Sequence, residues 1–357
     1  MSAAPPGGAS ESVRTAAGAV VLVAGHVCLD IVPELAGPPS LRPGDLWPSG
    51  PLTLAAGGCV ANTGGVLAAL GVPVVVSADV GDDAISAPLV DLVAGLGLDV
   101  SRLQRMPGST SYSIVIQSPG IDRTFWHHVG VNDQFDGSAV RFADEAILHV
   151  GYPTLLPALV MDGATALTRL LRRAHAASVA TSVDLAVVPT PTDGTRTFWG
   201  AVLRTVMPDV DVVTPSIDDL DSALTAGDPG AVTPERLLAA AERLVGWGAA
   251  IALVSGGSVG FGLATADAAR FAGAGRLVAE LSPEWHGIRL VAPAESLHPV
   301  GTGGAASLGT SGAGDAATAG LLAKLLVGAG PEAAVAAAAQ AAVDRITGVR
   351  GVRVGSA

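Results

Sequence analysis

The chain has 357 residues, 49% of them apolar, enough to bury the core of one large α/β domain with an appendage or of two domains. Its formal net charge of −12 repels nucleic-acid backbones and anionic lipid surfaces, so both are excluded as expected partners. Two cysteines, Cys28 and Cys59, stand outside any CxxC pair and cannot build a disulfide framework, which points to a reducing cytoplasm.

In chain order, residues 1–15 are small and polar, with Pro5, Pro6, Gly7 and Gly8 and without the charged-then-apolar order of a signal peptide. They are expected to be a disordered leader before a single domain over 16–357. Val20 to Gly25 reads as a buried strand, and Asp30 ends the apolar run from Ala16 before it reaches membrane-spanning length. Pro33 to Leu54 is rich in Pro and Gly and has no helical period. A loop, Gly57-Gly58-Cys59-Val60-Ala61-Asn62, then enters a helical pattern that runs to Leu70. Val74 to Val76 reads as a strand and Ala84 to Leu96 as a helix. Ser111 to Gln117 and Arg123 to Val129 alternate around Ser118-Pro119-Gly120-Ile121-Asp122, a hairpin signal. With the Pro/Gly-rich stretch, this hairpin is expected to make a small β lid from about 33–54 and 108–130.

Further strands are expected at Ala146 to Val150, Val179 to Val183, Val210 to Val213 and Ala250 to Val254. Helical patterns fill Leu159 to Ala177 and Pro234 to Val245. Two Ala-rich helices close the chain, Asp315 to Val327 and Pro331 to Ile346, and Pro331 suits a first helical turn. Continuous apolar strands alternating with helices argue for a mostly parallel sheet covered on both faces, the doubly wound α/β class.

The strongest local signal is Gly309-Thr310-Ser311-Gly312-Ala313-Gly314-Asp315, which runs directly into a helix. The first N–H groups of a helix have no intrahelical partner, and the helix dipole adds positive potential there. Gly312 and Gly314 let the backbone approach an anion such as a transferring phosphoryl group. Asp315 either caps this helix or accepts a proton from a substrate hydroxyl while the backbone holds the phosphoryl group. The stretch lacks the Gly-Lys-Ser/Thr ending of a Walker loop. In the Gly57-Gly58 loop, Asn62 offers donors and acceptors that suit a polyol, or caps its own helix. Asp30 follows the first strand, at the edge where open α/β sheets bind ligands, and there a carboxylate can take two hydroxyl hydrogen bonds. Read alone it is an ordinary loop acid.

Together these segments resemble the ribokinase-like carbohydrate kinases of the PfkB family, from about Val20 to Val354. Gly312-Ala313-Gly314-Asp315-Ala316 is similar to the family's C-terminal motif, and Gly57-Gly58 with Asn62 and Leu70-Gly71 to its N-terminal one. Val80-Gly81-Asp82-Asp83, Gly151-Tyr152 and Ser255-Gly256-Gly257-Ser258-Val259-Gly260 follow in the family's order. The resemblance implies a three-layer α/β/α sandwich with a mostly parallel central sheet and a β lid often used as a dimer clasp. It implies transfer of the γ-phosphoryl group of ATP, with Mg2+, to a hydroxyl of a sugar or sugar-like substrate. Asp315 would be the general base, with the backbone of Gly312, Ala313 and Gly314 as the anion hole. Asp30, Gly58, Asn62 and Asp184 would bind the substrate, and Ser255, Gly257 and Gly260 would lie on the nucleotide side.

Two positions depart from the family pattern. Gly309 stands where the C-terminal motif usually opens with Asp, and that loss counts against activation by a monovalent cation. Ser216-Ile217-Asp218-Asp219 replaces the family's Asn-x-x-Glu, so Asp219 implies a water-mediated contact with magnesium. A nucleoside kinase of the same fold would need an apolar slot for a base, which Phe125 and Trp126 of the lid could supply. A ligand-binding member that lost the chemistry would keep the fold without needing Asp315.

Other residues weigh less. His127 and His128 are adjacent on a strand and point to opposite faces, toward solvent or toward a substrate under the lid. His149 reads as a core histidine. Asn132 and Asp133 follow the lid strand and could add hydroxyl contacts, and Arg123 could meet an acidic substrate. Cys59 has no base placed to activate it. No histidines, cysteines or acids show the convergent spacing of a metal site. Apolar residues on both lid strands, Val115 and Phe125 among them, lead to an expected homodimer joined at the lid.

Overall fold

The computed structural model describes residues 19–39, 42–118, 124–189, 192–293 and 312–348. The expected leader, most of the hairpin turn with Arg123, and Gly309-Thr310-Ser311 lie outside these residues.

The chain opens with β1 (Val21–Gly25), β2 (Cys28–Pro33), β3 (Leu52–Gly57) and α1 (Gly58–Ala69). Next come β4 (Val74–Ser77), β5 (Asp79–Val80), α2 (Ser86–Gly95), β6 (Gln104–Arg105), β7 (Tyr112–Ile116) and β8 (Thr124–His128). Then follow β9 (Ile147–Gly151), α3 (Pro157–Ala176), β10 (Ala180–Asp184), α4 (Asp193–Val206), β11 (Val212–Val213), α5 (Ile217–Leu224) and α6 (Pro234–Gly246). The last elements are β12 (Ile251–Ser255), β13 (Gly260–Thr265), α7 (Ala268–Ala272), α8 (Arg276–Ala279), β14 (Arg289–Pro293), α9 (Ala313–Leu325) and α10 (Pro331–Thr347).

Among the described residues the main sheet has eight strands in the order β14-β13-β12-β11-β10-β9-β1-β4. From β4 to β12 every pairing is parallel. Each strand there is buried on both sides, as its unbroken Val, Ile, Leu and Ala run requires. In β1, Val21 and Val23 enter a core shared with Leu67 of α1, Leu321 of α9 and Val335 of α10. Leu22 and Ala24 enter the opposite core with Leu167 of α3, Leu203 of α4 and Leu244 of α6. The result is the expected three-layer ribokinase-like sandwich.

β13 and β14 are antiparallel additions that the strand–helix rhythm did not announce. Only residues 256–259 separate β12 from β13. A parallel return needs a crossover of a dozen or more residues, so so short a link forces a hairpin.

A second sheet has the order β3-β2-β7-β8. Its first two strands flank the Pro/Gly-rich segment that composition marked, and the Glu34 N–H joins their ends by donating to the Pro51 carbonyl. β2 starts three residues beyond β1, and β3 runs straight into α1, which fixes this sheet to the C-terminal edge of the main one. The register pairs Asp30 with Ala55 and Ser113, and Ser113 with His127, so these share one face. Ile31, Leu54, Ile114 and Trp126 share the other. Among the described residues no helix is long and apolar enough to cross a membrane.

Candidate active site

Asp315 is the third residue of α9, whose N-cap is Gly312. Among the described residues no side chain caps this helix. The Asp315 carboxylate instead reaches out to two other elements. The Thr63 hydroxyl of α1 donates to Oδ1 at 2.8 Å, and the Tyr152 hydroxyl donates to Oδ2 at 2.5 Å. The capping reading therefore fails, because a cap would spend the carboxylate on its own helix. Asp315 is 4% exposed, and burial pushes its pKa up. The Tyr152 and Thr63 hydrogen bonds, the Arg345 charge and the Asn62 side chain pull the other way.

The elements that present these groups end at the same sheet edge. β9 ends at Gly151, and Tyr152 turns in a left-handed conformation, φ 59° and ψ 48°, which sends its ring under α9. The Tyr152 N–H donates to the Asp184 carbonyl at the end of β10. Gly312 also has positive φ, 75°, and a Cβ there would come within 3.0 Å of Arg345 Nε. The guanidinium of α10 thus lies against the start of α9, beside backbone N–H groups that have no intrahelical partner.

The Asp315 charge acts on two more acids. Asp184 is buried, its Oδ1 accepts from the Leu185 N–H at 2.9 Å, and burial and then the Asp315 and Asp219 charges hold its pKa well above the usual range. Asp219 sits in the first turn of α5, accepts from the Ser216 N–H and hydroxyl at 2.8 and 2.7 Å, and has its pKa pushed up to about 6, chiefly by burial. Three partly unneutralised acids at one edge are a setting that a cation relieves.

The substrate-side candidates gather at the N-terminal half of α1, which also carries Thr63. A Cβ at Gly58, where φ is 82°, would come within 2.5 Å of the His26 carbonyl oxygen, so that position demands glycine, and one at Gly57 would come within 2.5 Å of the Asp30 carboxylate and push that side chain aside. Asn62 lies about one turn further along α1 and acts on Asp315. Asp30, against Gly57, and Asp315, against Thr63, therefore both meet the first half of α1 and its N-cap. Asn132 is fully buried and its Nδ2 donates to the Val27 carbonyl, so it braces the β1–β2 link. His149 is also fully buried, with Nδ1 against Ser182 Oγ at 3.0 Å, and burial lowers its pKa to about 3.

On the loop expected at the nucleotide side, Gly257 and Gly260 take positive φ of 57° and 109° in the turn after β12. Ser255 bridges to Ser216 and so adjoins the start of α5. Among the described residues no hydrogen bond joins this loop to Asp315. Sequence reasoning missed Thr63 and Arg345, which carry no local signal. It noticed Tyr152 only as half of a strand-end dipeptide.

A model of the pfkB family carbohydrate kinases matches residues 21–274. The chain belongs to the pfkB family of carbohydrate kinases. This pfkB-family chain is similar to the ribokinase of Thermotoga maritima, with 17% identity, 92% of this chain and 93% of that one covered, and a TM-score of 0.63. It is also similar to a putative ribokinase II of E. coli in complex with ATP and Mg2+, at 19% identity, 95% and 96% coverage and TM-score 0.65. A Burkholderia thailandensis nucleoside kinase in complex with inosine matches at 16% identity, 91% coverage of each chain and TM-score 0.62. At these identities the likeness shows the fold. No curated protein matches the chain in sequence.

Proposed function

We propose that this kinase moves the γ-phosphoryl group of ATP to a hydroxyl of a sugar-like substrate, with Asp315 as general base. The carrying observation is the buried Asp315 carboxylate, held by Thr63 and Tyr152 beside the amide-rich start of α9. An ionised, positioned carboxylate can take the proton of an incoming hydroxyl as the hydroxyl oxygen attacks phosphorus. The backbone of Gly312, Ala313 and Gly314, with Arg345 behind it, would hold the transferring group's oxygens where negative charge develops.

Asp30, Gly58, Asn62 and Asp184 would line the substrate side, and Ser255, Gly257 and Gly260 the nucleotide side. The acids at the edge fit a hard cation, which binds through one or two carboxylates and keeps water. Asp219, with Asp184 beside it, would hold Mg2+ through water, and the ion would neutralise phosphate charge. The E. coli and Burkholderia complexes support ATP, Mg2+ and a small polyhydroxylated substrate for this reading. A nucleoside remains a second substrate class because Phe125, 48% exposed, shares the face of Asp30. Trp126 lies on the opposite face, so it does not join that slot. With Leu52 and Leu54 it would instead form the homodimer face; Val115, 3% exposed, is already buried within one chain.

The test is ADP release over a panel of sugars, sugar acids and nucleosides, repeated with Asp315→Asn. Acceptor-dependent release in the wild type that collapses in the variant supports the reading. Near-wild-type turnover by Asp315→Asn on the accepted substrate sinks it.

A further inference from the structure

The small sheet assembles a second constellation that the proposed phosphoryl transfer does not use. His26 follows the end of β1, Cys28 opens β2, and His127 lies on β8, 101 residues from His26 in sequence. Their donor atoms all lie within 4.8 Å of one another, although the sequence spacing gave no hint of it. The two imidazoles meet through Nε2 and Nε2 at 3.3 Å. A tetrahedral zinc ion with Zn–N bonds of about 2.0–2.1 Å holds two nitrogen donors roughly 3.3–3.4 Å apart.

The surroundings orient these donors. His127 Nδ1 pairs with Ser113 Oγ at 3.0 Å, which fixes the ring and leaves Nε2 as the atom that faces His26. Cys28 Sγ lies 3.5 Å from Asp30 Oδ1, and a carboxylate beside the thiol favours a cation there. His26 and Cys28 are 2% and 3% exposed, so little water competes for their donor atoms.

We propose that His26, Cys28 and His127 form a binding site for a divalent transition metal of the zinc class, tying β8 to the end of β1. Two imidazoles and a thiolate suit such an ion and disfavour Mg2+ or Ca2+, which take oxygen donors. Binding forms the metal–sulfur bond as the Cys28 S–H proton leaves to solvent, one proton per ion. Three protein donors leave the fourth tetrahedral position to a water or a substrate oxygen.

The experiment uses untagged full-length protein, stripped with chelator and titrated with Zn2+ or Co2+ without nucleotide or sugar. It is therefore independent of the kinase reading. The wild type is expected to bind one equivalent, release one proton and show a thiolate-to-cobalt charge-transfer band. Cys28→Ser should abolish that band. His127→Gln, on an exposed strand, should weaken Zn2+ binding by about 100-fold or more, and Ser113→Ala, which spares all three donors, by about 10–100-fold. Circular dichroism checks that each variant folds. Absence of stoichiometric uptake by the wild type would overturn the site, as would equal Zn2+ affinity in the wild type and a Cys28→Ser, His127→Gln double variant.

Discussion

β1 and β8 are both five residues long, yet every residue of β1 is buried and every residue of β8 is exposed. β1 is Val-Leu-Val-Ala-Gly between two helical layers, and its side chains fill both cores. β8 is Thr-Phe-Trp-His-His at the edge of a four-stranded sheet. Phe125 and Trp126 there are 48% and 46% exposed, which is why the proposed substrate and dimer contacts both draw on this edge. On the proposed function, the main sheet would hold the reacting groups in place and the small sheet would choose what meets them.

The sharpest test of this division is Asp315→Asn. The amide keeps the shape, Thr63 can still donate to its oxygen, and the melting temperature should stay within a few degrees. Turnover should fall about 10²–10⁴-fold, the usual worth of a general base, with ATP binding retained. Titration calorimetry and single-turnover assays separate the two effects.

A paired substitution compares the strands directly. Leu22→Ala in β1 should lower unfolding free energy by about 2–5 kcal/mol through lost burial and a cavity. Phe125→Ala in β8 should change it by no more than about 0.5 kcal/mol and raise KM instead. Denaturant unfolding beside steady-state kinetics reads both. Similar stability losses at the two sites would end the distinction.

Tyr152→Phe refines the site itself. Asp315 must be ionised to accept a proton, so kcat/KM rises with pH through its pKa, already above the ordinary carboxylate range. The Tyr152 hydroxyl stabilises the carboxylate, so its removal raises that pKa further and moves the rising limb to higher pH. On the acid side the rate should fall about tenfold, the worth of one hydrogen bond to a charged group. A pH profile identical to the wild type's would deny Tyr152 this role.

The smallest stability effect is expected on the outer lid face. Trp126→Ala should leave the monomer's stability within about 0.5 kcal/mol and yet shift self-association toward monomer in sedimentation. A wild type that is monomeric at micromolar concentration with and without substrate would remove the dimer.

The chain itself announced the parallel sheet, because strands buried on both sides must be apolar at every position, and Val20 to Gly25 could be nothing else. It announced the start of α9, because small residues feeding a helix leave unpaired N–H groups whatever surrounds them. β13 was not announced, since its Gly-Phe-Gly-Leu-Ala-Thr run carries no mark of strand direction, which the length of the link to β12 decides.

Side-chain partnerships were decided by tertiary structure alone. Thr63 and Tyr152 meet Asp315 across 252 and 163 residues, and no local pattern records such a meeting. Arg345 looks like any basic residue near a helix end until α10 packs on α9 and brings it against Gly312. His26, Cys28 and His127 have no motif spacing because β8 reaches β2 only through β7. Periodicity is a property of consecutive residues and survives in the sequence; convergence is a property of strand order and register, which many distant contacts fix together.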